Sequence, residues 1–147
     1  MGTPSPTDTM DDDLKGILDA LLEGVLVLDD ADRLLFLNAE AARLLGAPGD
    51  ARAGRPLAAL IGADHPVCQI VERVRTSGRP SIYDELELPQ RLPHPIPADV
   101  SVALIGDVPG AGRRIAIALR DRSAARSLRE EISERERQES YGHIAAG

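Results

Sequence analysis

Residues 24–38, GVLVLDDADRLLFLN, hold two short apolar runs on either side of an acidic segment. Short runs rich in Val and Leu are typical of β-strands, and the aspartates between them favour a tight turn. The segment therefore predicts a β-hairpin with strands at residues 24–29 and 33–37. Asp29, Asp30 and Asp32 lack the spacing and the closing Glu of a calcium loop, so a turn is the better interpretation of these aspartates.

Three short helices are predicted after the hairpin. Asn38 is a suitable N-cap for AEAARLLG, and GRPLAALIG provides a further short helical turn. The third helix lies in ADHPVCQIVERVRTSG, where Asp64 can cap, Pro66 suits the first turn and Gly78 ends the helix. Its predicted buried stripe consists of Val67, Ile70, Val71 and Val74.

Three more strands are predicted at residues 82–88, 98–105 and 114–119. In the first, alternation places Ile82, Leu86 and Leu88 on one face. Four prolines between Pro89 and Pro97 exclude a central strand there, and GDVPGAG joins the last two strands as a hairpin loop. Strands that bracket helices in this order predict an α+β fold, an antiparallel sheet with helices on one face.

The segment before the hairpin divides into two parts. Residues 1–10 are too polar to bury apolar surface, and we expect a disordered tail. Residues 11–23 predict an amphipathic helix that covers either its own domain or a second copy of the chain. Its apolar stripe, the predicted dimerisation surface, includes Leu14, Ile17, Leu18 and Leu21.

The last segment, residues 121–147, predicts a helix that projects from the domain. From Arg120 to Glu139, twelve of twenty residues are charged, six of each sign, and no proline interrupts them. Ala125, Leu128 and Ile132 form a short apolar seam through which two such helices could pair weakly. A solvated helix held by its own ion pairs is an equally good interpretation of this composition.

Composition excludes several classes of function. The net charge is −7 and no basic stripe is present, so nucleic-acid binding is not expected. The sequence contains neither a membrane span nor a signal peptide, which predicts a cytoplasmic protein without membrane contact. A single cysteine, Cys68, supports neither a disulfide nor a structural zinc site. Because no catalytic set or phosphate loop is present, the chain is not predicted to be an enzyme.

Three motifs identify a family resemblance. The segment LLEGVLVLDDADRLLFLNAEAARLLG resembles the opening of a PAS domain, and DHP before the long helix is similar to the PAS domain of NtrB-type nitrogen-regulatory histidine kinases. LRDRS resembles the Asp-x-Thr/Ser signature that leads into a signalling helix, here with Asp121 and Ser123. The resemblance implies a PAS domain over residues 24–120, with five antiparallel strands in spatial order 2-1-5-4-3.

The final residues, RQESYGHIAAG, resemble the sequence just ahead of the phosphoacceptor histidine in such kinases. The resemblance implies that the chain ends before that histidine, and His143 is not assigned its role. It also implies a homodimeric regulatory module in a protein that holds a kinase core, uses ATP and Mg and acts on a response regulator. A regulatory protein partner is a possible source of the input. A haem- or flavin-bearing redox or gas sensor and the input module of a transcriptional regulator or cyclase remain alternatives.

A small ligand, if bound, is expected between sheet and helices. The candidate lining residues are Phe36, Ile70, Val74, Tyr83, Val102 and Ile117, which are equally suited to a plain core. We expect no cofactor and no metal: Cys68 is interpreted as a small buried side chain, His65 as a first-turn residue near solvent, and His94 as exposed in the proline-rich loop.

Overall fold

The computed structural model describes residues 23–47, 53–90, 94–108 and 112–146. The described residues form two strands, then three helices, three strands and a last helix. The strands are β1 (Glu23–Leu28), β2 (Leu34–Leu37), β3 (Ser81–Leu88), β4 (Ile96–Val108) and β5 (Gly112–Asp121). The helices are α1 (Ala39–Leu45), α2 (Leu57–Ile61), α3 (Pro66–Ser77) and α4 (Ser123–Ala146). Residues 11–22, most of the predicted N-terminal helix, lie outside the described residues, and Glu23 belongs to β1 rather than to that helix.

The strands form one antiparallel sheet in the order β2-β1-β5-β4-β3, which confirms the predicted architecture. Alternation gives the sheet two different faces. The inner face packs against α1, α2 and α3, and buried residues of both layers form one core. Its fully buried large side chains include Leu26, Leu28, Leu34, Leu44, Leu88, Val67, Val74, Val100, Val102, Ile115, Ile117 and Leu119.

Polar contacts fix the turn between β1 and β2. Asp29 Oδ1 accepts hydrogen bonds from the backbone N–H groups of Ala31 and Arg33, both at 2.9 Å. Arg75, in the last turn of α3, pairs with Asp32 at 2.6 Å and also donates to the backbone carbonyl of Asp29. The aspartates therefore serve as turn residues, as predicted, and Arg75 of α3 holds the turn against the helix.

Asn38 and Gly24 bring α1 onto the first strand. Asn38 is buried, and its Oδ1 accepts from Ala41 N–H, which confirms the predicted N-cap. The same Oδ1 accepts from Val25 N–H, and Nδ2 donates to the Glu23 carbonyl, each at 2.9 Å. At Gly24 the helix comes so close that a Cβ would lie 2.8 Å from Ala41 Cα.

A β-bulge in β3 overturns the predicted alternation of that strand. Tyr83 pairs with Val100 and Leu86 with Ala98, so two residues, Asp84 and Glu85, oppose a single residue of β4. Glu85 has a φ of 51° and its N–H donates to Asp99 Oδ1 at 3.0 Å. Because of the bulge, Tyr83 shares the inner face with Leu86 and Leu88, whereas Ile82 is 74% exposed on the outer face.

Three further local predictions were wrong: the N-cap of α3, the exposure of His65 and the start of β4. The N-cap of α3 is His65 and not Asp64: Nδ1 of the imidazole accepts from Val67 N–H at 3.1 Å. His65 is also buried rather than near solvent. β4 begins at Ile96 and includes Pro97, which is tolerated because it lies at the start of the strand, where its carbonyl accepts from Arg122 N–H.

Candidate functional site

Five of the six predicted cavity residues lie between sheet and helices. Ile70 and Val74 come from α3, and Val102 and Ile117 pair with each other across β4 and β5. Each of these four side chains is at most 4% exposed, and Tyr83 is partly buried against the same cluster. They occupy the interior as packed core, whereas two cavities of about 410 and 270 Å³ elsewhere among the described residues have other linings.

Phe36 does not join this group. It pairs with Val27, and Val27 points to the face of the sheet opposite to Leu26 and Leu28. The bulge between β1 and β2 sets this register, so Phe36 lies on the outer face, away from the helices. Its predicted place in the interior is therefore corrected.

Tyr83 joins the interior to the polar surface of α3. Its ring packs against the core, while its hydroxyl accepts a hydrogen bond of 2.7 Å from Arg73 Nη1. The bulge of β3 follows directly in the chain. Tyr83 is thus one residue away from the backbone irregularity that positions Glu85.

Cys68 packs against the core, although it is partly buried rather than buried, and His94 is exposed as predicted. Burial, and then the negative charge of Asp32, raise the pKa of Cys68 to about 11, so the thiol is protonated at neutral pH. The side chain packs against the core cluster, as a small apolar residue would. His94 is exposed. Within the described ranges, no three His, Cys, Asp or Glu side chains stand close enough together to hold a metal ion.

Asp121 forms the junction between β5 and α4. Its Oδ1 accepts from Ser123 N–H at 2.8 Å, which starts the helix, and its Oδ2 accepts from Arg43 Nη2 of α1, also at 2.8 Å. Arg43 is held in turn by Glu40 through a second ion pair of 2.6 Å. The predicted signature residues Asp121 and Ser123 therefore connect the last helix directly to α1.

Replacement of Asp121 by Asn is expected to make folding less sensitive to acid. Burial by itself raises the pKa of Asp121, but the hydrogen bonds from Arg43 and Ser123 outweigh burial and lower the pKa below its ordinary value of 3.8. Such a carboxylate contributes stability above the ordinary pKa and loses it as the pH falls through the lower pKa of the folded state. Urea unfolding at neutral pH and below pH 3.8 measures the difference. An equal acid loss in D121N and in the wild type would contradict the role of this carboxylate, and D64N, at an exposed position, is the control.

Three arginines, Arg122 directly before α4 and Arg126 and Arg129 within it, contact acidic residues of the sheet. Arg129 Nη2 donates to both carboxylate oxygens of Glu85, at 2.7 and 3.0 Å. Arg126 lies 3.6 Å from Glu87 and Arg122 lies 3.6 Å from Asp99. Exposed pairs of this kind contribute about 0.2–1 kcal/mol each, so together they hold the helix in a weak, salt-sensitive contact.

Sequence reasoning missed this contact. The spacing of the three arginines, i, i+4 and i+7, places them on one helix face and was a usable signal. Their partners could not be found in the same way, because Glu85 reaches the helix only through the bulge of β3.

The predicted seam of α4 is separate from these three arginines. Leu128 and Ile132 are 57% and 48% exposed, and Ala125 is half-buried. At 100° per residue, the seam lies about 90° around the helix from the arginines. The helix can therefore rest on its own domain and still present Leu128 and Ile132 outward. The other predicted dimerisation residues, Leu14, Ile17, Leu18 and Leu21, lie outside the described residues.

None of the helices in the described part of the chain is long and apolar enough to cross a membrane. This observation concerns helices alone.

Comparison with known proteins agrees with the observed topology. The family model of the PAS fold matches residues 12–122. The sensory histidine kinase/phosphatase NtrB of Azospirillum brasilense is 32% identical over 124 residues, which cover 76% of this chain. The chain spans only 30% of the length of that relative.

Two solved structures share the fold. The Escherichia coli DhaR(N)–DhaL complex matches with a TM-score of 0.59 and 25% identity, over 77% of this chain and 35% of that one. The PAS domain of nitrogen regulation protein NR(II) from Vibrio parahaemolyticus matches with a TM-score of 0.53 and 18% identity, over 74% of this chain and 96% of that one. With the family match, the sheet order and the helix that leaves β5 at Asp121, these similarities lead to one conclusion: the chain belongs to the PAS family, and it resembles the PAS domains of histidine kinases.

Proposed function

We propose that this chain is the sensory PAS domain of a two-component histidine kinase, and that it passes a signal through α4 to a kinase core outside this chain. The observation that carries the proposal is the 32% identity to NtrB, together with the direct continuation of β5 into α4 at Asp121. The fragment itself performs no catalysis in this proposal. Its parent protein would use ATP and Mg and would transfer a phosphoryl group to a response regulator in the cytoplasm.

In the proposed route, the signal reaches α4 through two contacts with the rest of the domain. At the first turn, Asp121 ties the helix start to Arg43 of α1. Two turns further on, Arg129 ties the helix to Glu85 in the bulge of β3, next to Tyr83 and its bond to Arg73 of α3. A shift of α1 or of α3 would therefore change the direction in which α4 leaves the domain. Weak, discrete ion pairs suit a two-state repacking, because little energy separates their made and broken forms.

Dimerisation is the second part of the proposal. The seam of Leu128 and Ile132 would pair with its copy, and the stripe of Leu14, Ile17, Leu18 and Leu21 would cover the outer face of the sheet, its own or that of the copy. That face is apolar over β1, β2 and β5, where its residues include Val25, Val27, Phe36, Ala116 and Ala118. Apolar surface of this kind favours a partner.

The input in this proposal is a ligand or a regulatory protein. The DhaR(N)–DhaL structure, whose chain is 25% identical, shows a related fold in a complex with another protein, which supports a protein partner. We propose no haem, flavin or metal. The side chains of Ile70, Val74, Val102 and Ile117 are packed in the core, which supports an interior without a large flat cofactor.

Leu128→Arg and Ile132→Arg, made together, are expected to convert a dimer into a monomer. A pair of charges at the centre of a short seam would face its own copy, where like charges repel and desolvation is costly. Native mass spectrometry of this chain measures the stoichiometry, and autophosphorylation of the full-length parent measures the output. We expect the parent variant to lose at least about tenfold in rate if pairing of α4 transmits the signal, an effect of about 1.4 kcal/mol.

Ser127→Arg together with Gln138→Arg is the matched control, because this variant adds the same two charges on another, exposed face of α4. It should leave both measurements unchanged. A double variant that remains dimeric and fully active would contradict the proposal that pairing of α4 transmits the signal. A monomeric wild-type chain would mean that the dimer contacts lie elsewhere in the parent protein.

A further inference from the structure

A cavity of about 270 Å³ lies outside the predicted interior site. It is bounded by the ends of α1 and α2, the start of α3 and the segment that follows β3. The lining residues are Leu45, Gly46, Leu60, Ile61, His65, Pro89 and Gln90. None of these side chains carries a fixed charge, and four of them are apolar. The volume is near the lower limit of small-molecule sites, so any occupant must be small.

His65 supplies a hydrogen-bond donor with no acceptor. Its residue surface is 6% exposed, and Nδ1 accepts from Val67 N–H at 3.1 Å, so in the neutral ring the proton is on Nε2. Nε2 is buried and has no hydrogen-bond partner within the part of the chain that is described. Burial lowers the pKa of His65, which favours the neutral ring, and the hydrogen bond from Val67 N–H selects this tautomer. A buried N–H without a partner is costly, and a bound acceptor would remove that cost.

Gln90 supplies the complementary acceptor. Its Nε2 donates to the Leu44 carbonyl at 2.5 Å, and this bond fixes the orientation of the carboxamide. Oε1 is therefore left to accept, and it lies 3.6 Å from the position that a Cβ on Gly46 would take. Gly46 has a φ of 64° and ends α1, so the absence of a side chain there keeps the space beside Oε1 open.

We propose that this cavity binds a small uncharged molecule with a branched apolar body and a carboxamide group, whose oxygen accepts from His65 Nε2 and whose N–H donates to Gln90 Oε1. The apolar body would contact Leu45, Leu60 and Ile61. An anion is disfavoured because the described residues of the lining include no Lys or Arg to balance it. The site is independent of the proposed output: it would bind its ligand whether or not α4 leads to a kinase core.

The test is a titration of this chain with isobutyramide, followed by the methyl NMR signals of Leu45, Leu60 and Ile61 and by the ring nitrogens of His65. We expect saturable shifts at all four residues. Methyl isopropyl ketone, which keeps the oxygen but loses the N–H donor, should bind about tenfold more weakly, a difference of about 1.4 kcal/mol. Isobutyrate, which has a similar shape and a negative charge, should bind more weakly than both.

Three variants test whether the polar groups of His65 and Gln90 contact the ligand. His65→Asn keeps a side chain that can cap α3 but removes the ring, and it should weaken isobutyramide binding about tenfold. Gln90→Met keeps the length of the side chain without its polar atoms, and it should reduce the preference for the amide over the ketone. His94→Asn, which replaces an exposed histidine, should leave binding unchanged.

Three results would overturn the proposal. The first is the absence of saturable shifts with isobutyramide in the wild type. The second is ring-nitrogen spectra of the free protein that place the proton of His65 on Nδ1, a result that needs no ligand and no variant. The third is equal affinity in the wild type, in H65N and in Q90M, which would mean that neither polar group of the cavity contacts the amide.

Discussion

Gly24→Ala is expected to lower the free energy of unfolding by about 2 to 3 kcal/mol, the upper part of the range of about 1–3 kcal/mol that is typical of overpacked interiors. The new Cβ would meet Ala41 Cα at 2.8 Å and Ala41 N at 2.9 Å. These are backbone atoms of α1, so no side-chain rotation can relieve the contact. The helix or the strand would have to move, although Asn38 holds the two together. Urea unfolding of the variant and the wild type measures the loss.

A double-mutant cycle with Ala41→Gly distinguishes a backbone contact from a side-chain contact. Ala41 Cβ lies 3.2 Å from the added atom, farther than the two backbone atoms. The cost of Gly24→Ala should therefore be nearly the same in the A41G background. If A41G restored most of the stability, the side chain of Ala41 and not the path of the helix would be the obstacle.

Asn38→Ala should destabilise the domain by about 3 kcal/mol, because loss of an N-cap costs about 1 kcal/mol and buried groups left without partners add about 1–3 kcal/mol. The variant removes the acceptor for Ala41 N–H and Val25 N–H and the donor to the Glu23 carbonyl. A fall in melting temperature of roughly 10 °C is the corresponding thermal effect. Thermal and urea unfolding should rank the stabilities of the variants in the same order.

Asn38→Asp is the matched control. It keeps an oxygen that can accept from Ala41 and Val25 and loses the donor to Glu23, so with its carboxyl protonated its stability should lie between those of the wild type and N38A. At neutral pH the charge at this buried position adds a further cost. A loss in N38A of less than about 0.5 kcal/mol, the size of an ordinary surface effect, would show that the three bonds are replaced by others.

These two positions show how far local sequence reasoning reached. The cap at Asn38 was predictable, because an N-cap depends on the side chain and the next three residues. The bonds of Asn38 to Val25 and Glu23 were not, since they join residues 13 and 15 positions apart. The close approach at Gly24 was equally hidden, because only the packed structure brings Ala41 over that glycine.

In the candidate sites, too, local features were predictable from the sequence and contacts between distant segments were not. The apolar stripe of α3 followed from its helical period, and four of the predicted interior residues lie in the core. Phe36 and Ile82 were misplaced because bulges shift the register of β2 and β3, and a shift of one residue moves a side chain to the other face. The lone donor of His65 was missed because its cap, its burial and the cavity beside it come from different elements.

The sequence by itself determined the strands, the helices, most of the turns and caps, and the likeness to PAS domains, because these depend on residues within a few positions of one another. Only the tertiary structure decided which face each strand residue takes beyond a bulge, which carboxylates meet the arginines of α4, and which cavity lies beside His65. Those outcomes depend on contacts between segments distant in the chain, and their free energies arise only when the layers pack together.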